Sequence, residues 1–431
     1  MTTRQGLSPH GRQPLPDMER EMRHASEENI NRMICDIAGF NDTPGEGITR
    51  VALTDADLAA RDYLKSEMKN LGMDVRQDAA GNIYGRLQGS DPSLAPVWTG
   101  SHVDSVLNGG AFDGVAGIVC GLEAASMIRD SGETFRRSIE VVVFTAEEPT
   151  RFGLGCIGSR IMAGKLSWKE ACEILDKDGR SLAEILGCSK EEFENVKKND
   201  DDVAFHVELH IEQGEQLEQK KLPVGVVTTI SAPTEIQVRI CGKQRHAGAT
   251  PMAIRVDPVA AMAELSVCLE SLAREAADAG TVFTIGEISV DPNTSNVIPR
   301  EVSFSIDLRS AVPAEKETIM NALIAKCEEL EQERGVQILM DVLCDDQPVQ
   351  ADPQIISLIE AGCDHAGLPF MDMASGAYHD SLFVADFAPF GMIFVPSRDG
   401  ISHDREEFTS KEELAAGTDV LAETLLALAS C

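Results

Sequence analysis

His102 and Asp104 stand two residues apart in VWTGSHVDSVLNGGAFDGVAG, and Asp113 closes the glycine-rich turn that follows them. An imidazole beside carboxylates is a donor set for a divalent metal, and a carboxylate such as Asp113 can span two cations. Asp104 is placed to hold the other ring nitrogen of His102 and fix its tautomer. Glu147-Glu148, His210 and His403 supply more of the same donor types. Five side chains, His102, Asp113, Glu148, His210 and His403, would suit a pair of ions about 3.5–4 Å apart with one shared carboxylate. Glu147 then stands beside the attacking water, where such a hydrolysis needs a general base. Each residue alone has an ordinary explanation: a solvated acidic pair before a turn, a hydrogen-bonded histidine, a polar loop. Their coincidence weighs against it, because each falls where an apolar strand gives way to a loop.

The elements that must present these residues are readable from apolar spacing. Val97-Trp98 reads as a buried strand, and Ile118, Val119 and Leu122 as one face of the helix after the Asp113 loop. Open α/β sheets build sites at the carboxyl ends of their strands. Ser138–Thr145 (SIEVVVFT) is a β-branched run typical of a strand covered on both faces, ending in Glu147-Glu148. Phe205, Val207, Leu209 and Ile211 alternate with His206, Glu208, His210 and Glu212, which predicts a half-buried strand leading to Gln213.

Upstream, Ser26 caps an expected helix with Ile30, Met33, Ile34 and Ile37 on one face. Thr54 with Asp57 predicts a capping box for a second helix, which Gly72 ends. Two short strands follow, near Met73–Gln77 and Ile83–Leu87, and residues 165–200 read as surface helices and a loop. From about Ser231 the order becomes β-α-β-β-α-β, the split βαβ arrangement of ferredoxin-like domains. Alternating α and β resume with a helix over Pro353–Ala366, a strand at Met392–Val395 and a helix from Ser410. The fold expected is an α/β catalytic domain over residues 25–230 and 345–431, interrupted by an α+β insert over 231–344. Residues 1–24 are expected to be a disordered leader.

A chain of 431 residues exceeds what one core usually supports. Its net charge of −33 argues against nucleic acid and anionic membranes as partners. Eleven cysteines without a CxxC pair read as reduced thiols of a cytoplasmic protein. No apolar run reaches the ~18 residues of a membrane span.

The stretches TGSHVDSVLNGGAFDGVAG, FTAEEPTRFG, ELHIEQG, RHAGATPM, NVIP followed by DLR, SGAYHDS and GISHDREE resemble the amidase/carbamoylase branch of the M20 metallopeptidase-like hydrolases. That branch includes allantoate amidohydrolases, N-carbamoyl-L-amino acid hydrolases, ureidoglycolate amidohydrolases and yeast-type β-alanine synthase. The resemblance implies a metal-dependent exopeptidase-like catalytic domain with an inserted ferredoxin-like lid and dimerisation domain. It assigns His102, Asp113 and His210 to one metal, with Asp113 bridging to a second held by Glu148 and His403. It makes Glu147 the general base and Asp104 the support of His102. It further implies that His246 reaches a partner subunit's active site, that Asn296 and Arg309 contact a substrate carboxylate, and that Gln213 and His379 lie on the substrate side.

The expected activity is hydrolysis of a ureido or carbamoyl C–N bond in a small carboxylate, releasing ammonia and carbon dioxide. Allantoate is the first candidate, with N-carbamoyl-L-amino acids and ureidoglycolate as alternatives. A di- or aminopeptidase on the same scaffold and an inactive binding protein are the rivals. The HIEQG and RHAGATPM forms favour the amidase branch, and the presence of Glu147 with all five donors argues against inactivity. Two divalent ions are expected per subunit of a homodimer, zinc or else manganese, cobalt or nickel. Three departures stand out: Tyr378 where many relatives have glycine, Pro149-Thr150 for Gly-Ser, and Glu215 for proline. The first bears on the pocket, because that backbone is expected near the substrate carboxylate.

Overall fold

The computed structural model describes residues 23–277 and 280–431, so the expected leader lies outside the described residues except for Arg23 and His24. The chain divides into two compact units. One holds the chain up to Thr228 with Ala351–Met373 and His379–Cys431; the other holds Thr229–Gln350 with Ala374–Tyr378.

The first unit contains β1 (Asp74–Gln77), β2 (Ile83–Leu87), β3 (Val97–His102), β4 (Ile139–Phe144), β5 (Phe205–Ile211) and most of β6 (Val224–Ile230). Its sheet runs β1-β2-β4-β3-β5, and after β5 comes the late strand Phe390–Val395, followed by β6. The pairings β4/β3, β3/β5 and β5 with Phe390–Val395 are parallel, so four strands end at the same edge. The hairpin of β1 and β2 and the strand β6 are antiparallel to their neighbours.

β3, β4 and Phe390–Val395 are buried throughout, as the β-branched run of β4 predicts. β5 departs from its expected half-burial: its polar alternates His206, Glu208 and His210 are as enclosed as its apolar residues. The cause is position, since β5 is a central strand that also packs against the helices Val115–Ser131 and Lys411–Ser430. Strands at Val224–Ile230 and Phe370–Ser375 were not legible, because neither shows a clean alternation of apolar and polar residues.

Helix caps follow the sequence with one exception. Ser26 accepts from the N–H of Asn29, and Ser410 forms a reciprocal box with Glu413. The charged 165–200 stretch forms three short helices, each opened by a Ser–Glu capping box. Thr54, however, turns its hydroxyl back to the Val51 carbonyl, and Asp57 reaches back to the N–H of Leu53 rather than that of Thr54 while pairing with the buried Arg61. The Arg61 guanidinium also donates to the carbonyls of Gly81 and Phe144, the last residue of β4. Removing one partner of a buried, hydrogen-bonded ion pair leaves the other charge uncompensated. Arg61→Ala is therefore expected to lower unfolding stability by about 3–5 kcal/mol, read from a denaturant midpoint.

The second unit continues with β7 (Ala232–Cys241), β8 (Arg245–His246), β9 (Val282–Thr284), β10 (Ile288–Asp291), β11 (Val297–Ile298), β12 (Glu301–Ser310), β13 (Gln337–Asp345) and β14 (Val349–Gln350). Its main sheet is antiparallel in the order β10-β12-β7-β13, the split βαβ topology. β12 alternates strictly between buried and half-buried residues. Its buried face, Val302 to Leu308, packs with Ile236, Val238 and Ile240 under the helices Pro258–Glu275 and Pro313–Arg334. β13 is an edge strand that leaves Val342 and Leu343 exposed. Among the described residues no helix is long and apolar enough to cross a membrane.

Candidate metal centre

Four parallel strand ends explain why residues three hundred positions apart meet. His102 closes β3, Glu147-Glu148 follow β4, His210 lies at the end of β5, and His403 sits on the loop after Phe390–Val395. Their donor atoms form two clusters, His102–Asp113–His210 and Asp113–Glu148–His403, each with all donors within 4.8 Å of one another. Asp113 belongs to both. Its Oδ1 lies 3.6 Å from His102 Nε2 and 3.2 Å from His210 Nε2, and its Oδ2 lies 3.0 Å from His403 Nε2. Glu148 Oε1 is 3.5 Å from the same nitrogen of His403.

Main-chain carbonyls set the tautomers of the two buried histidines. His102 Nδ1 meets the Asp104 carbonyl at 3.0 Å, and His210 Nδ1 meets the Ile211 carbonyl at 2.9 Å. A carbonyl only accepts, so Nδ1 carries a proton and Nε2 is the nitrogen left facing Asp113. Asp104 thus supports His102 through its backbone; its carboxylate is 3.8 Å from the ring. That carboxylate instead accepts the N–H groups of Glu147 (3.3 Å) and Glu148 (3.0 Å), fixing the acidic pair. Asp104, expected to support His102, thus meets the ring with its carbonyl, while its carboxylate stands at ion-pair distance. Gly114 completes the loop with φ +65°, and a Cβ there would lie 2.4 Å from His102 Nε2.

Glu147 belongs to neither cluster. Its Oε2 is 3.6 Å from His102 Nε2, and its Oε1 is 3.6 Å from the Cys156 thiol. Ala146 and Cys156, on either side of it, both have positive φ, at 53° and 54°. Such strain in non-glycine residues persists only where the surroundings enforce it.

Burial and the neighbouring Glu148 hold the Glu147 carboxyl well above the usual carboxylate range, although His102 opposes them. Burial and Asp113 push Glu148 up to about 7. Asp113 goes the other way: burial would raise it, but His102, His210 and His403 hold it well below its ordinary value. His403 rises to about 9 through its hydrogen bond to Asp113. Three enclosed acids whose ion-pair partners among the described residues are imidazoles form a concentration of negative charge and lone pairs that divalent cations would balance. The donor set fits such ions.

On the flank, Gln213 Nε2 donates to Asp113 Oδ2 at 2.8 Å. His379 packs on His210, with ring centroids 4.5 Å apart, and burial followed by the charge of His210 lowers it to about 3. It is therefore a neutral imidazole at neutral pH. Glu407 escaped the sequence reading altogether. It is buried and accepts the N–H groups of Phe112 and Asp113 at 2.9 and 3.0 Å. Nothing in the pattern separates it from the exposed Glu406 beside it.

The remaining candidates belong to the second unit. His246 is exposed on β8, and its Nδ1 accepts the N–H groups of Gly248 and Ala249 at 3.1 Å each. Its proton therefore resides on Nε2, which leaves a donor facing outward. Asn296 is exposed, and its carbonyl accepts the Ala247 N–H at 2.9 Å, tying it to the His246 loop. Arg309 forms a fork with Asp307, and its guanidinium carbon lies 5.9 Å from the centre of the Tyr378 ring.

Residues 98–427 match the Peptidase family M20/M25/M40. The chain is 40% identical to a ureidoglycolate hydrolase of Oryza sativa subsp. japonica, over 93% of this chain and 84% of that protein. It is 39% identical to an N-carbamoyl-L-amino acid amidohydrolase of Geobacillus stearothermophilus, over 93% and 98% respectively. Among solved structures it superposes on a hydantoinase/carbamoylase-family amidase from Burkholderia multivorans with a TM-score of 0.85 at 32% identity, covering 95% of this chain and 99% of that one.

Proposed function

The chain belongs to the M20/M25/M40 peptidase family, and from that premise we propose that it is a two-metal amidohydrolase cleaving the ureido group of a small carboxylate. It is a hydrolase of C–N bonds in the amidohydrolase group that acts on carbamoyl amino acids, allantoate and ureidoglycolate. The observation that carries the two-metal reading is the pair of donor clusters sharing Asp113, with Glu147 alongside and outside both. Cations held by His102, Asp113, His210, Glu148 and His403 would polarise a carbonyl oxygen and make water a better nucleophile.

Glu147 takes the proton from the attacking water and returns it to the departing nitrogen. The Cys156 thiol holds one of its oxygens and leaves the other for that exchange. The outward N–H of His246 suits an oxyanion, and the resemblance assigns it to the site of a partner subunit. The exposed apolar residues of the edge strand β13 support pairing with a second copy.

Arg309 is the carboxylate fork, pre-aimed by Asp307. Arg309→Ala is expected to raise KM about 10–100-fold, the worth of a charged hydrogen-bonded contact, while cation content stays at the wild-type level. Loss of cations instead would remove Arg309 from this role.

Tyr378 refines the substrate. Its ring centre lies 5.9 Å from the Arg309 guanidinium carbon, and the resemblance gives many relatives a glycine at this position, so the chain carries added bulk and a hydroxyl there. Added bulk leaves less room, and ureidoglycolate carries a hydroxyl where allantoate carries a second ureido group, so we place ureidoglycolate first. The test is ammonia release from ureidoglycolate, allantoate and several N-carbamoyl-L-amino acids, using protein stripped by a chelator and reloaded cation by cation. Ureidoglycolate should show the highest kcat/KM, and Tyr378→Gly should shift preference toward allantoate. Turnover that survives chelation would overturn the metal reading, and hydrolysis of dipeptides alone would overturn the amidohydrolase one.

A further inference from the structure

Glu407 is 4% exposed, and among the described residues no lysine or arginine pairs with it. Its Oε1 accepts the N–H groups of Phe112 (2.9 Å) and Asp113 (3.0 Å), and its Oε2 accepts the Ser402 hydroxyl at 2.8 Å. That hydroxyl also lies 3.2 Å from Asp113 Oδ2. One carboxylate thus joins the backbone of the shared ligand to Ser402, the residue preceding His403, across a separation of 289 positions in the chain. The edge-to-face rings of Phe112 and Phe408, 5.6 Å apart, join the same two loops.

A buried carboxylate with no basic partner is costly unless it is fully hydrogen-bonded and faces positive charge. Two amides and a hydroxyl satisfy its oxygens, and the positive charge it faces is that of His403, to which the proposed cations would add. The slot is also shaped to it. A Cβ on Gly110 would lie 2.1 Å from Oε1 and 2.4 Å from the Glu407 Cβ, so only glycine leaves room.

We infer that Glu407 is a positioning residue, holding Asp113 and the His403 loop in register and thereby setting cation affinity at the Asp113–Glu148–His403 position. The inference rests on the two-metal reading above. Partners that orient metal ligands in this way are worth about 10–100-fold in affinity when removed.

The test titrates Mn2+ or Zn2+ alone into cation-free protein, in competition with a chelator of known affinity. Wild type should take up two ions. Glu407→Ala should bind one of them about 10–100-fold more weakly. Its kcat should recover at excess cation, KM should stay near wild type, and the melting temperature of the cation-free protein should not fall. Glu407→Gln, whose carbonyl still accepts the two amides, should restore part of the loss. Gly110→Ala, which expels the same side chain, should reproduce the Ala phenotype and add nothing in the double variant.

Unchanged affinity for both ions in Glu407→Ala would overturn this inference alone. So would a cation-free form that melts well below wild type, or additive effects of the two substitutions. A wild type that takes up fewer than two ions would overturn the two-metal reading and this inference with it.

Discussion

Glu147→Gln loses turnover by about 10²–10⁴-fold while still taking up two divalent cations. Glutamine matches the shape of the side chain and can keep its contact with the Cys156 thiol, but it cannot accept the proton of water. Because Glu147 lies outside both donor clusters, its loss should leave cation uptake near wild type. Burial and Glu148 raise its proton affinity above that of an ordinary carboxylate, the direction that favours taking a proton from water. Rate of ammonia release and metal content by elemental analysis decide the matter together. Wild-type turnover would remove Glu147 from the mechanism, whereas lost metal would make it a ligand.

Asp113→Ala is expected to do the opposite, losing cations from both positions and activity with them. Both oxygens of Asp113 are committed, one toward His102 and His210 and the other toward His403, so no remaining carboxylate substitutes for it. Lewis acidity worth several kcal/mol, at about 1.36 kcal/mol per decade, corresponds to a drop of about 10³-fold or more. His403→Ala serves as the control, since it touches only one cluster: one ion should remain, and activity should recover in part at high cation concentration. If Asp113→Ala retained two tightly bound ions, the shared-carboxylate arrangement would be wrong.

The sequence was informative where a single physical rule governs. The apolar runs before His102 and Glu147 marked buried strands, and their shared direction follows once those strands pair in parallel. The split βαβ order of the second unit was equally legible, because β12 alternates cleanly and each helix buries residues about one turn apart, such as Leu265 and Leu269 or Ile319 and Leu323. Contacts made through the main chain were not legible. Asp104 looks like a side-chain partner of His102, yet its carbonyl does that work, and no residue type announces a carbonyl. Glu407 was hidden for a related reason: its identity matters only because two distant loops meet around it. The polar alternates of β5 misled in the other direction, since alternation implies one wet face only when a strand lies away from the middle of a covered sheet.

The backbone carbonyls of Asp104 and Ile211 have a consequence for how this centre can change over generations. A point mutation replaces side chains and leaves carbonyls in place, so the proton on each of the two imidazoles is out of reach of single substitutions. Tuning must pass through Asp104, Gln213, Ser402 and Glu407, the side chains that grip the acids or the loops bearing them. Drift in such a protein would alter how strongly it holds its ions well before it altered which nitrogen is offered to them.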